Sequence, residues 1–599
     1  MTVYLARNKV EKNQTWNAES VFKNHQIWEE ELKTILAGLD SVKNYRGRLG
    51  EGPATLLEAL SACEHLILRA QTVYMYAGFG YAVDTTDQET AGMQGRAAGM
   101  FGQVAASTSF IAPELLSIGK DKLDAWMKQE PKLAIYNHDF DDLFRKQQHV
   151  RSEEVEELLG MLGDPFTGPA NTASMITNAD FKFSPVLNSK GRKLEVTQSS
   201  IHKILEEPDR TARQTAWDNY MDRHLEFKNT LSDNLATSIK ANIFLMRARK
   251  HQTSLAASVF ENNVPVEVFH NLINTFKKHL PIWHRYFELR RKALGQRDIT
   301  YYDMWAPLTR KRVKISFEQA VDLTCEGLAP MGKEYTAIIR KGCLEERWVD
   351  WAPNKGKQNG AFSYGAPGTY PFIMMSFTDD VSSMSTLAHE LGHSMHSHLT
   401  WKNQPLVYSE YSLFVAEVAS NFHQAMVRAH LLKTVQDTNF KIALIDEAMS
   451  NFFRYFFQMP ILARFELETH DRIEKGESLT ADSMIDLMAD LFTEGFGPRV
   501  RVDRPRVGMV WSTFGHLFSD YYVYQYATGI SGAHALSGRI LRGEENAVED
   551  YLEFLKSGSS EYPLEILKHA GVDLGSPRPV EETFAVMEGY IDQLEKLIK

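Results

Sequence analysis

Thr386-Leu387-Ala388-His389-Glu390-Leu391-Gly392-His393 sets two imidazoles four residues apart, with a carboxylate directly after the first. Read as helix, the stretch carries both histidines on one face, because residues four apart are neighbours on a helix surface. This is the H-E-x-x-H spacing, in which His389 and His393 would bind one Zn2+ and Glu390 would stand beside the metal's water as general base. Such a metal lowers the pKa of bound water from 15.7 to about 7, which a histidine pair alone cannot do. The plainer reading is an amphipathic helix with two satisfied histidines, so the surrounding sequence has to decide. Gly392 costs about 1 kcal/mol against Ala in a helix interior. A glycine kept there points to something lying close against the helix.

A catalytic zinc takes three protein ligands and leaves a position to water. The metzincin continuation would place Gly three and His six residues past the second ligand, where this chain has His396 and Leu399. Farther on, Leu413-Phe414-Val415-Ala416-Glu417-Val418-Ala419 offers Glu417, the preferred third ligand. A carboxylate among apolar neighbours is costly unless it is paired or bound to metal. Glu410 is the second candidate, between Ser409 and Tyr411, where solvation explains it. A further group lies at Phe514 to Gly529, with His516 and four tyrosines. Peptide hydrolysis passes through a tetrahedral oxyanion, which such donors could stabilise. If the stretch is helical, Tyr521 and Tyr524 share one face while Tyr522 and Tyr526 share another. Tyrosines at that spacing also serve core packing.

Other motifs occur with these in order: Asn359-Gly360-Ala361-Phe362-Ser363, Pro371-Phe372 with Ser376-Phe377-Thr378, Ala463-Arg464-Phe465-Glu466-Leu467-Glu468, and Tyr521 to Gly529. Together with the histidine motif they resemble the oligoendopeptidase F branch of the thimet oligopeptidase family. The resemblance implies a mainly α fold: a large helical two-lobed body enclosing a deep channel, with a zincin-like core and a small β-sheet beside the zinc-binding helix. It implies a zinc-dependent endopeptidase that cuts short unstructured peptides, with Glu417 as third ligand. It also implies that His516, Tyr521 and Tyr524 bind substrate and stabilise the transition state. The chain departs from the branch at Ser383, where relatives often carry an acid, so the supporting partner of His389 is unassigned. The run Thr513 to Leu517 looks closer to the thimet branch, which leaves open which tyrosine serves the oxyanion.

The rest of the chain bounds this reading. Hydrophobic residues at 43% and charged residues at 24% are ordinary globular composition. Cys63, Cys325 and Cys343 are far apart and form no C-x-x-C, which fits a reducing compartment. The start lacks a secretory apolar region and no apolar run is long enough to span a membrane, so a cytoplasmic protein is expected. A net charge of −11 disfavours a nucleic-acid partner; short peptides are the expected partners, and oligomeric state is not legible.

Leu56, Leu60, Cys63, Ile67, Ala70 and Tyr74 form one helical stripe. Thr86 and Glu89 read as a capping box, and the following glycines and alanines from Gly92 to Ala106 as a surface for close helix packing. Residues 180 to 197 read as a hairpin turning at Asn188 to Gly191, which divides a helical N-terminal lobe, 1–197, from a catalytic domain, 198–599. Trp348 to Trp351, Ala361 to Ser363 and Phe372 to Phe377 have strand character, and Phe372 to Phe377 is the expected edge strand for a bound peptide. Glu466 and Glu468 near His470 read either as supporting groups or as exposed helical pairs. The rival readings are a zincin aminopeptidase or carboxypeptidase, and a non-catalytic helical peptide-binding protein.

Overall fold

The structure, a computed structural model, describes residues 5–309 and 311–598. Those residues are helical apart from turns, loops and five short strands. Two compact units form, each from three separate stretches: Met1–Gln148, Lys314–Val427 and Arg539–Ala570 make the first, and His149–Val313, Arg428–Gly538 and Gly571–Lys599 the second. The division expected at residue 197 follows the chain, and falls inside the second unit. Strands β1 (Val186–Leu187) and β2 (Lys193–Leu194) pair antiparallel as the expected hairpin of that unit. Strands β3 (Val349–Asp350), β4 (Phe362–Tyr364) and β5 (Phe372–Met374) form a sheet in the first.

In the first unit the long helix Pro53–Val83 lies against Gln88–Thr108. Leu56, Leu60, Cys63 and Ala70 are buried as their spacing predicts, while Ile67 stays 37% exposed. Asp87 caps the second helix by accepting from the Glu89 N–H. The Thr86 hydroxyl bonds Asp84 instead, so the box expected between Thr86 and Glu89 does not form. The small-residue face also departs from expectation: a Cβ at Gly92, Gly95, Gly99 or Gly102 would meet nothing within 4 Å. Among the described residues no helix lies against these glycines.

The sheet runs in the order β3-β5-β4, parallel on one side of β5 and antiparallel on the other. Phe372 to Met374 is therefore central, paired on both sides, and is not the edge expected for a peptide. All three of its side chains are buried, which suits a strand covered on both faces and does not suit an edge. The outer side of β3 is taken by the N-terminal segment: the Trp351 N–H donates to the Gln14 carbonyl at 3.1 Å, and the Asn17 N–H to the Arg347 carbonyl at 2.8 Å. The open edge among the described residues is β4.

The histidine motif lies on the helix Val381–Asn403. Asp380 caps it, accepting from the Ser383 N–H at 2.8 Å. Leu387, Ala388, Leu391 and Met395 are buried, as are the polar Glu390, Ser394 and His396. The stripe Ser382, Thr386, His389, His393 and Ser397 is the less buried face of the helix.

The second unit has an aromatic core in which Trp283, Phe287, Phe453, Phe457 and Phe496 touch. Its helices Arg210–Glu226 and Lys228–Ala248 break at Phe227. Among the described residues no helix is long and apolar enough to cross a membrane.

Candidate active site

His389 and His393 stand one turn apart on the motif helix, ring centroids 5.0 Å from each other. Glu417 reaches them from the next helix, Leu413–Thr434. One ligand atom from each of the three lies within 4.8 Å of the others, and His389 Nε2 is 3.4 Å from Glu417 Oε2. The two helices can approach this closely because residue 392 has no side chain. A Cβ there would stand 2.5 Å from the Ala419 carbonyl oxygen and 2.6 Å from the Ser420 Cα.

Each of the three is oriented by a neighbour. His389 Nδ1 is 3.1 Å from Gln424 Oε1, and Gln424 Nε2 donates to the Ser385 hydroxyl at 2.8 Å. The same nitrogen also faces the Ser385 carbonyl at 3.4 Å, which only accepts and so fixes which end of the amide is oxygen; Nδ1 therefore carries the proton and Nε2 is left as the lone-pair donor. His393 is hydrogen-bonded to the Ala416 backbone; its pKa is lowered to about 4, chiefly by burial, with Glu417 opposing. Glu417 Oε2 accepts from the Ser420 hydroxyl at 3.0 Å. Gln424 was not legible in the sequence. It supplies the partner that Ser383 does not, since the Ser383 hydroxyl is engaged with Thr378.

Glu390 is 5% exposed, and its Oε2 has no hydrogen-bond partner among the described residues. Burial pushes its carboxyl up to about 7; the His389 charge opposes this and Glu417 adds to it. A buried, orphaned carboxylate oxygen is expensive in a folded protein. Beside two imidazole nitrogens and a carboxylate, the donor set that zinc prefers, it fits a site completed by a cation and its water. Glu410 lies outside this group; its carboxylate accepts from Gln71 Nε2 at 3.0 Å.

His516 and the tyrosines belong to the second unit, and the structure divides them. Tyr521 has a left-handed backbone, φ 50°, and the helix begins only at Tyr524. Helical spacing therefore does not relate 521 to 524. Tyr521 is buried against Phe269 and His470, with its N–H donating to Glu466 Oε1 at 2.6 Å. Tyr524 is buried on the same Phe269. The rings beside His516 are instead those of Tyr522, stacked at 5.6 Å, and Tyr526, edge-on at 6.0 Å. Of the two acids near His470, Glu466 is buried and holds the Tyr521 turn, whereas Glu468 pairs with Arg472 along its own helix.

Comparison with known proteins matches residues 203–586 to the model of peptidase family M3 and residues 114–183 to that of oligopeptidase F. The chain belongs to peptidase family M3. Oligopeptidase PepF of Bacillus subtilis is 36% identical over 99% of this chain and 88% of its own length. Group B oligopeptidase PepB of Streptococcus agalactiae is 33% identical, covering 99% and 98%. The crystal structure of oligoendopeptidase-F from Enterococcus faecium superposes with a TM-score of 0.75 at 28% identity, over 96% of this chain and 99% of that one. This M3 peptidase is thus a metalloendopeptidase of the oligopeptidase type with the mainly helical, zincin-like fold of its relatives, and peptides are its substrates.

Proposed function

We propose that the enzyme hydrolyses internal bonds of short, unstructured peptides using one Zn2+ held by His389, His393 and Glu417. The observation that carries this is the convergence of those three side chains, with the orphaned oxygen of Glu390 on the residue next to His389. When bound, the zinc supplies a Lewis acid for the scissile carbonyl and lowers the pKa of water to about 7. Glu390 takes the proton of the attacking water and passes it to the leaving amine. Gln424 and the Ala416 backbone hold the two imidazoles in their donor tautomers. The open edge of β4 pairs with the extended substrate backbone, the part that Phe372 to Phe377 cannot play. By family resemblance His516 and a tyrosine donate to the developing oxyanion. Tyr522 and Tyr526 share the His516 surface and are the better candidates, with Tyr521 and Tyr524 fixing the turn that presents them. Three free cysteines favour a reducing compartment such as the cytoplasm.

Glu390→Gln tests the reading. Peptide turnover should fall by about two to four orders of magnitude at unchanged zinc content. Retained turnover, or loss of zinc in parallel with activity, would remove Glu390 as the base.

A further inference from the structure

Glu410 is exposed, and among the described residues no cation lies within ion-pair distance of its carboxylate. Its hydrogen-bond partner is the amide of Gln71, and both stand close enough to the Tyr364 hydroxyl to act on it. Tyr364 is 40% exposed, and the half-buried Tyr74 stands close enough to act on it electrostatically. Beyond Tyr74 its ring neighbour Phe101, at 5.8 Å, is 36% exposed. A carboxylate held by a neutral amide thus shares a surface with accessible aromatic rings.

That surface adjoins the reaction centre. Tyr364 is the last residue of β4, the open edge. The hydroxyl of the preceding residue, Ser363, is 2.8 Å from that of Ser394, which follows His393. Tyr411, next to Glu410, places its hydroxyl 3.4 Å from the His393 carbonyl and feels the charges of both Glu410 and Glu417. A peptide lying along β4 passes the surface.

An ammonium or guanidinium group is attracted both by a carboxylate and by the faces of aromatic rings. An apolar side chain gains nothing from the carboxylate, and an acidic one is repelled. We propose that Glu410, Tyr364 and Tyr74 form a subsite for a positively charged group of the peptide substrate, either a lysine or arginine side chain or a free N-terminal ammonium. This deepens the reading of β4 as the substrate edge and rests on it.

The test compares kcat/KM for matched peptides carrying Lys, norleucine or Glu at each position in turn, with free or acetylated N termini. At one position Lys should exceed norleucine by about five- to twentyfold, the sum of an exposed ion pair and a cation–π contact, and the ratio should shrink as salt rises. In Glu410→Gln the ratio should fall to the roughly two- to fivefold that the rings alone supply, and in Glu410→Lys Glu should replace Lys as the better residue. If acetylation rather than the Lys replacement removes the gain, the ammonium of the peptide terminus is the occupant. The proposal is overturned if neither change matters to the wild type, or if the ratio survives undiminished in Glu410→Gln. Because the ratio is read only from peptides that are cleaved, its failure leaves the Glu390 test of hydrolysis standing.

Discussion

Gly392 contributes no atom to the proposed ligand set, yet its missing methyl decides where Glu417 can stand. In Gly392→Ala the new carbon would meet the neighbouring backbone at 2.5 Å, a contact that only parting the helices can relieve. Overpacking of this kind costs about 1–3 kcal/mol, and here it carries a ligand away from its partners. The variant should melt lower and hold zinc more weakly. Gly99→Ala is the control: open space surrounds that Cβ, and relief of the helical glycine should stabilise the protein by up to about 1 kcal/mol. Equal melting and equal zinc affinity in both variants would show that the close approach has no such role. Gln424→Leu removes the acceptor that fixes the His389 tautomer, and should weaken zinc about 10- to 100-fold in competition with a chelator. The glycine could be read from the sequence, because a costly residue inside a motif helix points to a close neighbour. The glutamine could not, since it sits on another helix 35 residues on and only the crossing of the two helices brings it to the ring.

Local periodicity failed at two elements, for the same physical reason. Tyr521 and Tyr524 share a face only if the chain between them is helix, and the positive φ at Tyr521 resets that phase by turning the backbone. Phe372 to Phe377 has the composition of a strand, but strand order is set by what lies on either side, and neither neighbour is contiguous with it. In each case the residue type was legible and its direction was not. Glu466 shows what holds the turn: its buried carboxylate receives the Tyr521 N–H, so the ring of Tyr522 is delivered beside His516. Glu466→Gln keeps an acceptor oxygen for that N–H, whereas Glu466→Leu leaves it unsatisfied at a cost of about 1–3 kcal/mol. The glutamine variant should keep most of kcat. The leucine variant should lose roughly tenfold to hundredfold, as small misplacements near reacting groups do, with less change in KM. Equal kcat in the two variants would mean that the turn does not position the His516 cluster.

At the scale of the whole molecule, each unit is assembled from stretches hundreds of residues apart, so a boundary drawn along the chain carries no information about which side chains stabilise one another. Asp303 in the second unit is an instance. Its carboxylate is fully buried and accepts from Arg210 Nη2 and Arg213 Nη2, each at 2.8 Å, contacts that close a gap of ninety residues. Burial alone would raise its pKa, but hydrogen bonds from the two guanidinium groups overcome this and hold it below the ordinary aspartate value. A carboxyl depressed in the folded state adds stability that is fully present above its unfolded pKa, near about 3.9, and is lost as pH falls through the lower folded value. Asp303→Asn leaves the buried Arg213 without its counter-charge, at a cost of about 3 kcal/mol at pH 7. The loss should appear in hydrogen exchange as weakened protection of Arg210–Glu226, a helix of the same unit. The difference between variant and wild type should then narrow below the ordinary aspartate range, because the wild-type carboxyl becomes protonated and resembles the asparagine. A difference that stays constant from pH 7 down to about pH 3 would mean that the charge of Asp303 does not hold this part of the unit together, and that its hydrogen-bonding shape alone does.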